Sequence, residues 1–169
     1  MKKLAALAGL TMCAFTAQAG LLGSTVNVDF FYPDTSTLFC SNGNAVVGGG
    51  VEYASSCSGF GPVAIDISDA GMTVGTGGVP WSTGSFNGFH LTVVSGPATI
   101  TGASYLGGTM SPVTYSVDPS GLWVNFAGQD GGDARFSITT SVPEPETYAL
   151  MGLGLLGVAA AVRRQHRAA

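Results

Sequence analysis

Two pairs of aspartates lie close enough in the sequence to act together. Asp130 and Asp133 flank two glycines, and Asp66 and Asp69 surround a turn. Clustered carboxylate oxygens bind Ca²⁺, and two carboxyl groups about 5 Å apart in a cleft can hydrolyse glycosides. The spacing matches neither an EF-hand nor the glycine-rich calcium repeat, and nothing indicates a cleft. Asp130 and Asp133 remain candidate calcium ligands, but a glycine-rich turn with solvated aspartates is favoured and no metal is expected.

His90 is the one histidine between residues 20 and 141. In a strand it shares a face with Thr92, opposite Phe89 and Leu91, which favours a solvent-facing or hydrogen-bonded side chain. One histidine without a nearby nucleophile is a poor catalytic set. The segment also has no Gly-x-Ser-x-Gly elbow, phosphate-binding loop or His-Glu-x-x-His pattern. We therefore predict no catalytic residue, no cofactor and no enzymatic activity.

Aromatic side chains are a second source of candidate sites, because their flat faces can stack on sugar rings. Aromatic residues in strands belong to the core more often than to a binding surface, so the core is favoured. The residues concerned are Trp81, Phe86, Phe89, Tyr105 and Trp123.

The first nineteen residues have the parts of a signal peptide. Two lysines come first, residues 4–15 are apolar, and Ala17 and Ala19 form a small-x-small cleavage pattern. The apolar stretch is too short for a stable membrane span. We therefore expect removal of residues 1–19 and export of the remaining chain.

Export changes the interpretation of the cysteines. Removing Cys13 with the signal peptide leaves Cys40 and Cys57. In an oxidising compartment these two residues predict one disulfide, with buried free thiols as the alternative. Two cysteines without a nearby histidine cannot build a four-ligand zinc site.

Residues 20–141 predict one small all-β domain. Only 9% of residues are charged and 26 of 169 are glycine, a composition typical of short strands joined by turns. Regularly spaced strands without a long helical pattern indicate a small antiparallel β-sandwich, immunoglobulin-like or jelly-roll-like. The predicted strands are 24–31, 45–53, 62–68, a return strand starting at 72–74, 86–94, 99–106, 113–117, 122–127 and 134–140. Three glycines at 48–50 interrupt the stretch 45–53 and indicate a hairpin or a bulge there.

The predicted domain is acidic. It contains eight acidic residues and one base, Arg135, which gives a net charge near −7. Nucleic acids and anionic membrane surfaces are therefore poor partners for it.

Residues 142–169 have a different character. Pro143 and Pro145 keep the chain around Glu144 out of helix and sheet. Residues 148–162 are fifteen uncharged residues, and as a helix they would span about 22 Å of a hydrocarbon core about 30 Å thick. We expect a single short transmembrane helix. Its topology would be set by Tyr148 at one interface and by Arg163, Arg164 and Arg167 on the cytoplasmic side.

The order of Pro-Glu-Pro, apolar helix and arginine cluster resembles the PEP-CTERM sorting domain of Gram-negative bacteria that make extracellular polysaccharide. The resemblance covers 142 to about 167 and implies that Pro143, Glu144 and Pro145 are recognised by an exosortase, a membrane transpeptidase. It also implies transient anchoring, followed by release to the cell surface or the outside. We therefore expect a non-enzymatic surface or matrix protein associated with exopolysaccharide or biofilm. The alternative is a secreted carbohydrate- or calcium-binding module.

Overall fold

A computed structural model describes residues 20–57, 61–141, 150–158 and 163. The predicted signal peptide therefore lies outside the described residues. Within them, ten β-strands form two five-stranded antiparallel sheets. The strands are β1 (Thr25–Phe31), β2 (Leu38–Val46), β3 (Tyr53–Ser56), β4 (Val63–Ser68), β5 (Gly71–Gly75), β6 (Gly88–Ser95), β7 (Thr99–Gly108), β8 (Thr114–Asp118), β9 (Gly121–Asn125) and β10 (Asp133–Ser141).

The chain passes repeatedly between the two sheets. The first sheet has the strand order β2-β1-β6-β9-β8, and the second has the order β3-β4-β5-β10-β7. Only the β1–β2, β3–β4, β4–β5 and β8–β9 pairs join strands that are consecutive in sequence. The remaining pairs are long-range, so the sheets depend on contacts that local sequence does not specify.

One hydrophobic core lies between the sheets. Most of its members come from alternate positions of the strands, as the period of two requires, and the others come from the segments before and between them. In the first sheet Val26, Val28 and Phe30 are buried, and in the second Val63, Ile65 and Ile67 are buried. The all-β prediction and these inward-facing residues are confirmed. Burial of each large apolar side chain contributes about 1.5–3 kcal/mol.

The prediction of a hairpin or a bulge within the β-rich stretch 45–53 is wrong. The chain instead leaves β2 in the first sheet after Val46 and enters β3 in the second sheet at Tyr53. The carboxylate of Glu52 holds this crossing, because it accepts hydrogen bonds from the Gly48 amide (2.9 Å) and the Ile67 amide (2.6 Å). Most of β2 was missed because this edge strand is largely exposed and shows no apolar alternation.

Residues 150–158 are helical and exposed, and Arg163 is helical and exposed as well. In the part of the chain that the structure describes, no helix combines the length and hydrophobicity needed to cross a bilayer. The predicted transmembrane segment, 148–162, also includes residues outside that part.

Candidate functional site

A row of paired side chains crosses the outer face of the first sheet. Strand register places Trp123 of β9 between Ser116 of β8 and His90 of β6, and His90 pairs in turn with Asp29 of β1. The next residues along β9, Leu122 and Val124, are fully buried on the inner face. Trp123 therefore stands on the surface side of the sheet, although its type is common in cores.

Aromatic contacts hold the Trp123 indole in place. The His90 ring is stacked on it, with centroids 3.9 Å apart and planes inclined by 6°. Phe31 approaches at 5.2 Å with tilted planes, and Phe86 approaches edge-on at 5.7 Å. One face of the indole is thus covered by an imidazole, while its neighbour on the other side is the small, exposed Ser116.

Asp118 fixes the indole from the end of β8. Its Oδ2 accepts a hydrogen bond from the Trp123 Nε1–H at 3.1 Å. Its Oδ1 accepts from the Ser120 amide (2.7 Å), the Gly121 amide (3.2 Å) and the Ser120 hydroxyl. Hydrogen bonds from Ser120, and further ones from Trp123 and Gly121, lower the pKa of Asp118 below its ordinary value. The Asp118 side chain is therefore an ionised carboxylate with a fixed orientation.

His90 is 8% exposed and hydrogen-bonded, with its Nε2 3.1 Å from the Ser120 hydroxyl oxygen. The prediction left open a solvent-facing or a hydrogen-bonded side chain, and the second is observed. Because the Ser120 hydroxyl donates to Asp118, its oxygen accepts from His90, which places a proton on Nε2. Burial lowers the pKa of His90 despite the opposing effects of Asp118 and Asp29. With His90 donating to Ser120 and Ser120 donating to Asp118, His90 is not positioned as a base toward Ser120.

A groove of about 490 Å³ lies beside Trp123 over β8. It combines one aromatic platform with hydroxyl, amide and carboxylate groups, and the two strand hydroxyls from β8 are exposed. Such a surface can stack a flat ring and bind its polar substituents. The lining residues are Thr35, Phe86, Thr114, Tyr115, Ser116, Asp118, Trp123 and Asn125.

The predicted aromatic candidates do not form one surface. Trp81, Phe86 and Phe89 are buried, as the favoured core interpretation predicted. Tyr105 is partly buried, and its hydroxyl donates to the Met110 carbonyl. Only Trp123 among them combines partial exposure with a polar neighbourhood. Its alternation with buried Leu122 and Val124 was the signal in the sequence that distinguished it.

The aspartate pairs do not assemble a metal site in the structure. Asp133 Oδ1 accepts from the Thr109 hydroxyl at 2.8 Å, and Asp69 Oδ1 accepts from the Leu22 amide at 3.1 Å. Across residues 20–57, 61–141, 150–158 and 163, no group of three or more His, Cys, Asp or Glu side chains could hold a metal ion. These bonds are typical of structural aspartates at turns and strand ends.

Cys40 and Cys57 form a disulfide, with their Cα atoms 5.9 Å apart. This agrees with the pairing expected for an exported chain. Cys40 belongs to β2 of the first sheet, and Cys57 follows β3 of the second sheet. The bond therefore links the two sheets across the crossing at 47–52. A hydrogen bond from the Cys57 amide to Asn42 Oδ1 (2.9 Å) reinforces this link.

Residues 141–165 match the family model of the PEP-CTERM protein-sorting motif. The chain therefore carries a sorting motif that marks an exported protein for an exosortase, a membrane enzyme, with transient anchoring through its C-terminus. No curated protein and no solved structure matches the chain. The predicted motif, topology and cleavage residues Pro143, Glu144, Pro145, Tyr148, Arg164, Arg167, Ala17 and Ala19 lie outside the described residues.

Proposed function

We propose that this chain is a non-enzymatic exported protein that serves as a structural or interaction component of the cell surface or its polysaccharide matrix. The observation that carries the proposal is the sorting motif at 141–165, which begins on the last residue of the β-domain. The motif supports export and sorting of the chain, and the domain is the part that would act at the destination.

Two further observations support this proposal. The segment 20–141 is acidic and is crosslinked by a disulfide. Both features suit an oxidising environment outside the cell. The cluster of Ser120, His90 and Asp118 also favours a positioning role, because Asp118 accepts from Ser120 and does not orient His90 toward it. A hydrolase would need the reverse order, with the carboxylate bound to the imidazole.

Processing through the motif is tested by a double substitution, Pro143→Ala with Glu144→Ala. We expect immunoblots of cell fractions to show a longer, membrane-retained form, because the recognition residues are lost. A matched control is Pro97→Ala with Asp130→Ala, which changes an exposed proline and an exposed acid in domain loops. The control protein should be processed and located like the wild type. Unchanged size and location of the motif variant would contradict sorting through these residues.

A carbohydrate-binding module is the second candidate function. The observation that favours it is the groove beside Trp123, where an aromatic platform is bordered by polar groups. Calcium binding has no comparable support among the described residues. Titration of the purified chain with Ca²⁺ should therefore give no binding heat, and a saturable heat would restore the calcium alternative.

A further inference from the structure

We infer that the groove beside Trp123 is a binding subsite for a neutral hexopyranose unit of an extracellular polysaccharide. The inference rests on the proposed placement of the chain in a polysaccharide matrix and specifies the contact by which it would be held there. Three properties of the groove lead to this ligand class: an oriented aromatic platform, a polar border and a negative charge.

The Trp123 indole, which is the aromatic platform of the groove, is held in one orientation by its neighbours without a ligand. His90 covers one face of the Trp123 indole at 3.9 Å, and Asp118 holds its N–H at 3.1 Å. Phe31 and Phe86 contact the same ring at 5.2 and 5.7 Å. Because the indole is held on several sides, a ligand orders little protein on binding, which favours affinity. On β8 the register partner of Trp123 is Ser116, a small exposed residue that lines the groove together with the indole.

The side chains bordering the platform match the hydroxyl groups of a sugar ring. Asp118 Oδ2 accepts a hydrogen bond from the Trp123 Nε1–H, and a carboxylate oxygen can accept a second one. Thr114 and Ser116 present exposed hydroxyls from alternate positions of β8. A pyranose offers an apolar C–H face to the indole and hydroxyls, which both donate and accept, to its border. A purely apolar ligand would desolvate the Asp118 carboxylate without giving it a further hydrogen bond.

The charge of the region selects among sugars. Asp118 lines the groove as an ionised carboxylate, and Asp29 lies two strands away in the same row of side chains. The groove lining contains no basic residue, and the single base of segment 20–141, Arg135, lies on β10 of the second sheet. A uronate would therefore be repelled without a compensating cation, whereas a neutral hexose would not.

The size and shape of the groove fit one or two units of a chain. Its volume of about 490 Å³ falls within the roughly 300–1,000 Å³ typical of ligand sites. It lies over the edge strand β8, beyond which the first sheet has no further strand among the described residues.

The binding test uses intrinsic fluorescence of the full chain, which contains two tryptophans. Trp81→Phe leaves Trp123 as the sole reporter. This replacement removes no side-chain hydrogen bond, since the buried Trp81 Nε1 has no partner among the described residues. The probes are cellohexaose, laminarihexaose and mannohexaose, with oligogalacturonate as the anionic comparison. We expect a saturable shift of Trp123 emission with at least one neutral oligomer and none with oligogalacturonate.

Two variants locate the binding. Ser116→Leu fills the groove from exposed β8 and should weaken the neutral oligomer about tenfold or more, as should Trp123→Ala measured by calorimetry. The matched control is Ser41→Leu, which adds the same bulk to an exposed position of β2, the opposite edge of the same sheet. This control should bind like the parent. Thermal unfolding is measured for every variant to check that the domain remains folded.

Three results would overturn the inference. The first is a folded chain whose fluorescence responds to none of the neutral oligomers. The second is an equal loss of affinity in Ser116→Leu and Ser41→Leu, and the third is tighter binding of oligogalacturonate than of any neutral oligomer. The sorting proposal is judged separately, by cell-fraction immunoblots. A correctly sorted chain that binds no neutral oligomer would refute the subsite alone, and a mis-sorted chain that binds one would refute only the sorting proposal.

Discussion

The imidazole of His90 lies flat against the indole of Trp123, with 3.9 Å between the ring centroids and 6° between the planes. The two residues are direct partners on β6 and β9. Because His90 is buried and bonded to Ser120, its ring supports the indole from behind. His90, which as an isolated histidine was a poor catalytic candidate in the sequence, is therefore best understood as a positioning residue for Trp123.

Protonation of His90 should destabilise the domain. Burial lowers its pKa from the ordinary 6.5 in the folded state. The unfolded chain therefore takes up this proton first, and stability falls as the pH decreases below about 6.5, then levels off below the folded-state pKa. We expect the melting temperature of the wild type to fall between pH 7.5 and 5, measured by circular dichroism.

The control for this pH dependence is His90→Gln, which retains polarity without titrating. Its melting temperature should vary less than that of the wild type over the same range. Parallel pH profiles of the two proteins would show that His90 does not govern this part of the stability curve.

Loss of the disulfide should destabilise the domain. Cys40→Ser with Cys57→Ser removes a crosslink over a sequence separation of 17 residues. We expect the free energy of unfolding in urea to fall by about 3 kcal/mol, since the unfolded chain regains the entropy of the open loop. Reductant should lower the stability of the wild type to a similar value and leave the double variant unchanged. A double variant as stable as the oxidised wild type would contradict the prediction.

Gly121 is required where β9 begins. Its φ of +144° disfavours any other residue, and a Cβ there would clash with the Leu91 carbonyl oxygen on β6. Gly121→Ala should therefore cost about 1–3 kcal/mol in backbone strain alone. Gly75→Ala is the control, because no atom lies within 4 Å of its added Cβ. Equal melting temperatures for the two variants would show that the β6–β9 contact tolerates displacement.

Tyr53 ties three strands together. Its hydroxyl lies 3.1 Å from the Val26 carbonyl oxygen of β1 and 3.0 Å from that of Gly43 on β2. Tyr53→Phe should therefore reduce the free energy of unfolding by about 1 kcal/mol. Tyr115→Phe is the control, since that side chain is 40% exposed. Equal losses in urea denaturation of the two variants would argue against a specific role for Tyr53.

The same residue should affect stability at high pH. Burial, with smaller effects of Glu52 and Asp29, raises the pKa of Tyr53 to about 12 from 10.0. The unfolded chain then loses its proton first, so stability falls as pH rises from about 10 to 12. Tyr53→Phe should weaken this decline, and identical alkaline profiles of variant and wild type would refute the assignment.

The sequence predicted those parts of the fold that depend on local patterns. Alternation in β1 and β4 identified their buried faces, because a residue's face in a strand follows from its parity. The first part of β2 was missed, because an exposed edge strand needs no apolar face. Its membership of a sheet is decided by pairing with β1.

The groove was less predictable than the strands. Ser116, Trp123 and His90 come from three strands and meet only through their register. Asp118 and Ser120 belong to a stretch recognisable as a turn, but their contacts with Trp123 and His90 depend on the β8–β9 pairing and on β6 lying beside it. Composition and spacing alone cannot supply that register.

Ser141 closes β10, an interior strand paired on both sides, and the sorting motif starts on this same residue. Pro143 follows two residues later, a step of at most about 7 Å even when fully extended. Only Val142 therefore separates the end of β10 from Pro143 in the sequence. An exosortase that recognises the motif therefore meets the Pro-Glu-Pro sequence within a few residues of the end of β10.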